Sequence, residues 1–374
     1  MKLCKICNIN MGQSPDSSLY NEEQIGMPFY QGNADFGEIH PKARMWCTKP
    51  TKIAKSGDIL ISVRAPIGAL NIANEDCCIG RGLAAITADS KKCSKKYLWY
   101  ALESKKDELI SKGTGSTFKA ISKNVLFDTE IPYVPLDKQI FIEQTLDKIS
   151  QLVNSRKKQL DLLSNLVASR FIEMFGRIQD NKKGYSIVTI GDVCSLIKDG
   201  THQTPEYTED VKNGYKFLSS KDVMSQKIDW SNIKYISASL HERLYSSLKP
   251  QRNDILMSKN GVNYGVAAIN DSDEIFDIYV SLALLRPSKS IHPVYLRCVI
   301  NSADTKNQFD SSIKGIGVPN LHLGEIKNTK ILLPPIDLQN QFAEFVKQTD
   351  KSKYLATLYI KLLGNERMMF CDKL

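Results

Sequence analysis

The chain has 374 residues, 42% hydrophobic and 24% charged, with 50 basic against 41 acidic side chains and a formal charge of +9. That is enough polymer for two domains with cores of their own, in an ordinary globular balance, and no apolar run reaches a membrane span, since residues 59–73 are broken by Arg64 and Asn71. Met1-Lys2-Leu3-Cys4-Lys5 lacks the apolar stretch of a secretory signal, so a cytoplasmic protein without membrane contact is expected, and the positive charge is compatible with a polyanionic partner.

Cys4-Lys5-Ile6-Cys7 is a CxxC that no second pair completes into a zinc site. The nine cysteines are an odd, scattered set, so buried reduced thiols are expected rather than a disulfide framework. Short β-branched runs at 59–63, 69–72 and 83–87, bounded by Gly, Pro and Asn, predict strands. Residues 97–109 predict an amphipathic helix with Leu98, Leu102 and Leu109 on one side, and Gly113 and Gly115 mark a loop after it.

From Asp137 to Phe175 the period changes. Leu146, Ile149, Val153, Leu160, Leu163, Val167 and Met174 keep one heptad frame that Arg156 and Arg170 interrupt, with no Gly or Pro before Gly176. Such a helix is ~57 Å long. The rest of the chain repeats the first half. Asp58-Ile59-Leu60-Ile61-Ser62 returns as Asp254-Ile255-Leu256-Met257-Ser258, each followed by a basic residue, Arg64 or Lys259. Tyr97-Leu98 returns as Tyr295-Leu296, Gly315 and Gly317 mark a second loop, and residues 131–139 return without a gap as 331–339. The second helix keeps Val346, Ala356, Ile360, Leu363 and Phe370 in frame, with Thr349 and Lys353 on the seam and Gly364 inside.

A period this long exceeds that of any solenoid. The expected fold is therefore α/β (α+β), two similar globular domains and a pair of long antiparallel helices, with pseudo-two-fold symmetry. The expected bounds are 1–135 for the first domain, 136–176 for its helix, 177–187 for a linker, 188–335 for the second domain and 336–374 for the second helix. A lone helix is marginal in water, so the two apolar seams are expected to pack on one another.

Catalytic signatures are missing. There is no phosphate-binding Gly-x-x-x-x-Gly-Lys-Ser/Thr loop, no Gly-x-Ser-x-Gly elbow and no Asp/Asn-Pro-Pro-aromatic methyltransferase tetrapeptide. The five histidines stand apart, and no metal site is expected. Glu325-Ile326-Lys327 has the form of a nuclease Glu-x-Lys, with Asp310 as a guessed upstream carboxylate, but an exposed turn explains it better.

Gly12-Gln13-Ser14-Pro15, Asp199-Gly200-Thr201-His202-Gln203-Thr204-Pro205, the Asp-Ile-Leu blocks, the Pro-Leu/Ile-Asp-x-Gln helix openings and Ser169-Arg170-Phe171-Ile172-Glu173-Met174-Phe175-Gly176 occur in order along the whole chain. In this the chain resembles the specificity subunits of type I restriction–modification enzymes. Val134 stands where that family usually has a first proline, and both helix openings lack its usual acidic residue before the Gln. The resemblance implies two target-recognition domains, each reading one half of a split double-stranded DNA site. It implies helices that act as spacer and docking surface for two methyltransferase subunits, with restriction and translocase subunits in the same complex. The chain itself would be non-catalytic, and S-adenosylmethionine, ATP and Mg would bind only to partner subunits.

Loop position and side-chain chemistry give candidate DNA contacts, because Arg and Lys suit guanine edges, Gln and Asn suit adenine, and all can hold phosphate. They are Gln13, Ser14, Arg44, Arg64 and Lys119 in the first domain. In the second they are Thr201, His202, Gln203, Lys221, Lys259, Asn260, Asn263 and Tyr264. The docking candidates are the seam residues Leu146, Ile149, Val153, Leu160, Leu163, Val167, Val346, Ile360 and Leu363. Two readings from other classes compete: a stand-alone DNA-modifying or DNA-cleaving enzyme fragment, and a helical scaffold that binds only proteins.

Overall fold

Why is a strand such as Ile59–Ser62 buried at every position, with three apolar residues in a row, rather than alternating? The computed structural model, which describes residues 1–115, 119–313 and 319–372, answers this with two larger sheets in each half of the chain, the second half adding a two-stranded pair of Ser186–Thr189 with Lys330–Leu333. Side chains alternate across a strand, so a strand covered on both faces needs apolar residues on both. Ile59 and Ile61 enter a core shared with helices, while Leu60 enters a second core against the other sheet. Ile255 and Met257, with Leu256 between them, are divided in the same way.

The chain divides into two units, Met1–Lys158 with the segment from Ala356, and Gln159–Leu355. In the first unit an antiparallel sheet runs in the spatial order Cys7–Met11, Leu83–Ala88, Ile59–Ser62, Leu70–Ile72. In the second unit the order is Cys194–Asp199, Leu282–Pro287, Ile255–Ser258, Ala267–Ile269. The outer sheets correspond as well. Tyr20–Asn21, Met45–Cys47, Met27–Tyr30 and Cys77–Ile79 answer to Tyr207–Thr208, Lys234–Ile236, Tyr215–Leu218 and Phe276–Ile278, and in each the last two strands are parallel. The first unit adds Ile53–Ala54 at its edge.

The repeated sequence blocks prove to be buried pins. Gln139 and Gln339, both fully buried, sit in the first turns of the long helices Leu136–Phe175 and Ile336–Asp372. The Gln139 amide accepts from the Ser94 N–H (2.9 Å) and donates to the carbonyls of Lys92 and Val134. Gln339 repeats this with the His292 N–H (2.8 Å) and the carbonyls of Ser290 and Pro334. Each glutamine thereby ties its long helix to the loop that starts the helix containing Tyr97 or Tyr295. Those tyrosines donate to the carbonyls of Pro132 and Leu332 just before the long helices begin.

Within each unit, early residues of one long helix meet late residues of the other. In the first, the Arg156 guanidinium lies 5.1 Å from the centre of the Tyr359 ring, and Phe370 joins the core that holds Ile142 and Leu146. In the second, the rings of Phe171 and Phe175 lie 5.6 and 5.3 Å from Phe342. The helices are therefore antiparallel. The seam residue Thr349 is buried but donates back to the Phe345 carbonyl, so its hydroxyl is satisfied.

The helix expected over 97–109 is two helices, Lys95–Ser104 and Lys106–Ser111, because the Lys105 N–H bonds to the Leu102 carbonyl and tightens the turn. Cys7 is buried and its thiol is pushed up to about 12 by that burial, as is Cys194 at the equivalent position. Among the described residues no His/Cys/Asp/Glu group could hold a metal ion. Gly315 and Gly317 lie outside the described residues. No described helix is long and apolar enough to cross a membrane.

Candidate nucleic-acid interface

In each unit, loops from both sheets converge and hydrogen-bond to one another. In the first, the turn Gly80-Arg81-Gly82 is the hub. The Gln13 N–H donates to the Ile79 carbonyl (3.0 Å), the Gly82 N–H to that of Gln31 (3.1 Å) and the Val63 N–H to that of Gly82 (2.9 Å). The Ala65 N–H donates to the Lys119 carbonyl at 3.1 Å. Gln13, Ser14, Arg64 and Lys119 are thus brought together by backbone, with Gln13, Arg64 and Lys119 exposed and Ser14 half-buried. Arg64, Arg44, Gln31, Asn33 and Asp35 line an open concavity of about 740 Å³.

The second unit repeats this assembly. The Thr201 N–H donates to the Ile278 carbonyl (3.0 Å), the Val280 N–H to that of Thr201 (2.9 Å) and the Lys259 N–H to that of Ser281 (2.9 Å). Thr201 therefore answers to Gln13, and Val280 to Arg81. Ser62 and Ser258 hold the following loops in the same way: each hydroxyl donates to a carbonyl, of Pro66 or Asn263, and accepts from the N–H of Ala69 or Val266.

This equivalence corrects the pairing of the two basic residues. Counting from the shared serine, Lys259 answers to Val63, and the counterpart of Arg64 is Asn260; the isolated bridges Arg64 to Ala120 and Asn260 to Asn320 agree. Val63 and Lys259 are both buried. Lys259 Nζ lies 2.8 Å from Asp199 Oδ1 as an ion pair rather than a well-directed hydrogen bond, and its charge is spent there. Unlike the exposed candidates, Lys259 is buried and already paired.

Arg44 and Lys221 share a different arrangement. Asp35 caps its turn through the N–H groups of Gln31 and Gly32, and Asp222 accepts from the Ser219 N–H. Arg44 Nη2 lies 2.5 Å from Asp35 Oδ1, and Lys221 Nζ lies 2.5 Å from Asp222 Oδ1. Both cations are at least half exposed, but each is anchored on a buried carboxylate. Tyr264 is similarly committed: its hydroxyl donates to Asp310, and Lys306 Nζ sits 3.2 Å from its ring centre. His202, Gln203 and Asn263 are exposed, His202 standing 3.7 Å from Asp199, while Asn260 keeps a buried Oδ1 that accepts no hydrogen bond.

A family model for the type I restriction modification DNA specificity domain matches residues 1–163 and 182–361. The chain belongs to that family. It is similar to the putative type I restriction enzyme MjaX specificity subunit of Methanocaldococcus jannaschii, at 44% identity over 155 residues, 41% of this chain and 36% of that protein. The match thus spans about a third of that relative's length. It is also similar to the type I restriction enzyme EcoBI specificity subunit of Escherichia coli, 21% identical over 383 residues, 92% of this chain and 77% of that one. The crystal structure of the S subunit of a type I restriction–modification system from M. genitalium matches all of this chain and 94% of its own, with a TM-score of 0.56 and 16% identity, and so shares its fold.

The family's specificity role fits how the nuclease-like residues are used here. Glu325 accepts from the His322 N–H (2.8 Å) and caps a helical turn. Asp310 pairs with Lys306 at 2.9 Å, and the Tyr264 hydroxyl together with that ammonium holds its carboxyl below the usual range. Both carboxylates are occupied in structural contacts.

The docking candidates on the seam are placed inward. Leu146, Ile149, Val346 and Leu363 are buried, and Val153, Leu160, Leu163, Val167 and Ile360 are half-buried. They pack the molecule itself. The apolar side chains that the helices leave open are others, among them Phe141, Leu152, Leu358 and Leu362 in the first unit and Leu162, Leu166 and Tyr354 in the second.

The same loops carry two further exposed side chains that are not among the sequence candidates, Arg81 and Gln31. The flanking glycines of Arg81 were a signal available in the sequence; nothing marked Gln31.

Proposed function

We propose that this chain reads a two-part double-stranded DNA sequence, one unit to each half, within a type I restriction–modification complex. Methyl transfer and cleavage, with S-adenosylmethionine, ATP and Mg, belong to partner subunits. Two methyltransferase subunits dock on the exposed apolar side chains of the long helices, and restriction subunits join the same assembly. The observation that carries this reading is a division of labour among residues. Those shared by the units are buried pins, whereas the tips of the loops they hold, exposed in the first unit and half-buried in the second, differ in charge and size: Gln13 against Thr201, Arg64 against Asn260, Arg81 against Val280. Two readers of unlike half-sites need one scaffold and different tips. The formal charge of +9 suits a phosphate backbone.

The test is reconstitution with a cognate methyltransferase subunit followed by genome-wide mapping of methylated bases. A split motif is expected with both proteins and no modification with the chain alone. DNA affinity should fall steeply with salt. Methyl transfer or cleavage by the chain alone would overturn the reading, and salt-insensitive binding to protein partners without DNA affinity would favour the scaffold.

A further inference from the structure

We infer that Arg81 and Gln31 are the base-reading pair of the first unit, Arg81 for a guanine and Gln31 for an adenine, an assignment that rests on the function proposed above. Arg81 is the only residue of its three-residue turn that carries a side chain. Gly82 has to be glycine, because a Cβ there would lie 2.2 Å from the Gln31 carbonyl oxygen, and Gly80 is closely packed, a Cβ there lying 3.1 Å from Gln31 Cα and 3.2 Å from Ser14 Oγ. The turn is fastened on every side. The Gly80 N–H donates to the Tyr30 carbonyl (2.8 Å), the Arg81 N–H to Ser14 Oγ (3.3 Å) and the Gly82 N–H to the Gln31 carbonyl (3.1 Å).

Gln31 is held as firmly. Its own N–H donates to Asp35 Oδ2 at 2.7 Å while its carbonyl takes the Gly82 N–H, so both residues belong to one fastened backbone. Both side chains are exposed, and Gln31 lines the concavity that contains Arg44 and Arg64. Neither forms an ion pair or a side-chain hydrogen bond among the described residues, whereas the Arg44 fork is already spent on Asp35. An uncommitted guanidinium and an uncommitted amide on a rigid frame are the groups that pair in bidentate fashion with guanine O6/N7 and adenine N6/N7. A fixed backbone lowers the ordering cost of such contacts. The second unit has Val280 and Ser219 at these places, and the valine side chain has no group that can donate. The pair is a property of the first half-site alone.

The experiment uses the full chain assembled with its methyltransferase, comparing wild type with Arg81→Ala, Arg81→Lys and Gln31→Ala. Methylated motifs are mapped genome-wide, and binding to wild-type and single-mismatch duplexes is followed against salt. Arg81→Ala should relax one guanine position of one half-site, with a loss of discrimination of roughly 5- to 150-fold. Arg81→Lys should not restore it, because an ammonium lacks the planar fork. Gln31→Ala should relax one adenine position of the same half-site. The other half-site should be untouched. Uniform weakening over all sequences, with a salt slope shallower by about one, would make Arg81 a phosphate contact and overturn the assignment. A wild-type motif unchanged by the substitutions would overturn it too. A wild-type complex that methylates no split motif would instead overturn the DNA-reading function itself.

Discussion

The two units treat one interior position in opposite ways. Behind the strand Ile59–Ser62 the first unit buries Val63, and across the sheet it carries Met11; behind Ile255–Ser258 the second buries Lys259 against Asp199, the counterpart of Met11. The surrounding backbone bonds are the same, since Val63 and Lys259 both donate to the last residue of the equivalent turn. A repeated frame thus accepts an apolar pair or an ion pair at one site without changing its path. The lesson is that a charge beside a repeated strand does not by itself mark a reading residue. What matters is its register: one position along, Arg64 is exposed and Asn260 half-buried, because a shift by one residue turns a side chain away from the core.

The largest effect should come from exchanging one unit's reading loops wholesale. Replacing residues 1–135 with the equivalent segment of a relative keeps the pins that both units share and changes every tip of the first. Methylation mapping should show a new sequence in one half of the motif and the old one in the other. If both halves changed together, the units would not be separate readers, and the comparison between them would lose its functional meaning.

Much of the architecture was legible because its signals are long. The heptad frame from Leu146 to Met174 persists over many turns, and the block 131–139 returns intact at 331–339. The outer sheets were not legible, since strands of two to four residues such as Tyr20–Asn21 and Lys234–Ile236 carry too little pattern to be seen. The helix seam was legible as a face but not as an interior, because periodicity cannot tell a surface offered to a partner from one already packed. Of the candidate site, loop membership could be read for Gln13, Arg64 and Lys119, which depends on nearby glycines. The anchoring of Arg44 on Asp35 or Tyr264 on Asp310 could not, because those contacts join separate elements whose approach only the fold decides.

A sharper comparison uses a twin rather than a difference. Gln139 and Gln339 are both fully buried and make the same three hydrogen bonds, so truncating either strands a buried N–H and two carbonyls. Each unmet group costs about 1–3 kcal/mol, though water reaching the gap recovers part of this. Gln139→Ala and Gln339→Ala should each destabilise their own unit by about 2–4 kcal/mol. Hydrogen exchange resolved by peptide should show the loss confined to one unit in each variant, with matching size. Markedly unequal losses would mean that the two helix openings are pinned by different forces despite identical geometry.

The smallest expected effect belongs to the variant that makes the second unit's interior like the first. Lys259→Val alone leaves the Asp199 carboxylate in a mostly buried place without its cation. Breaking a buried pair by removing one partner costs about 3–5 kcal/mol, and because Asp199 keeps some solvent contact a smaller loss, about 2–3 kcal/mol, is expected. Adding Asp199→Met removes the stranded charge and recreates the Val63 and Met11 combination that the first unit already packs on the same backbone. Replacement of a buried ion pair by apolar residues is often neutral or stabilising, so the double variant should recover most or all of the loss. The readout is a double-mutant cycle in thermal or denaturant unfolding, with the methylation motif of the complex as control. Because Lys259 is buried, neither variant should alter a base of the motif once the protein is folded. A folded Lys259→Val variant with a relaxed second half-site would restore this lysine as a reader and break the register on which the comparison of the two units stands.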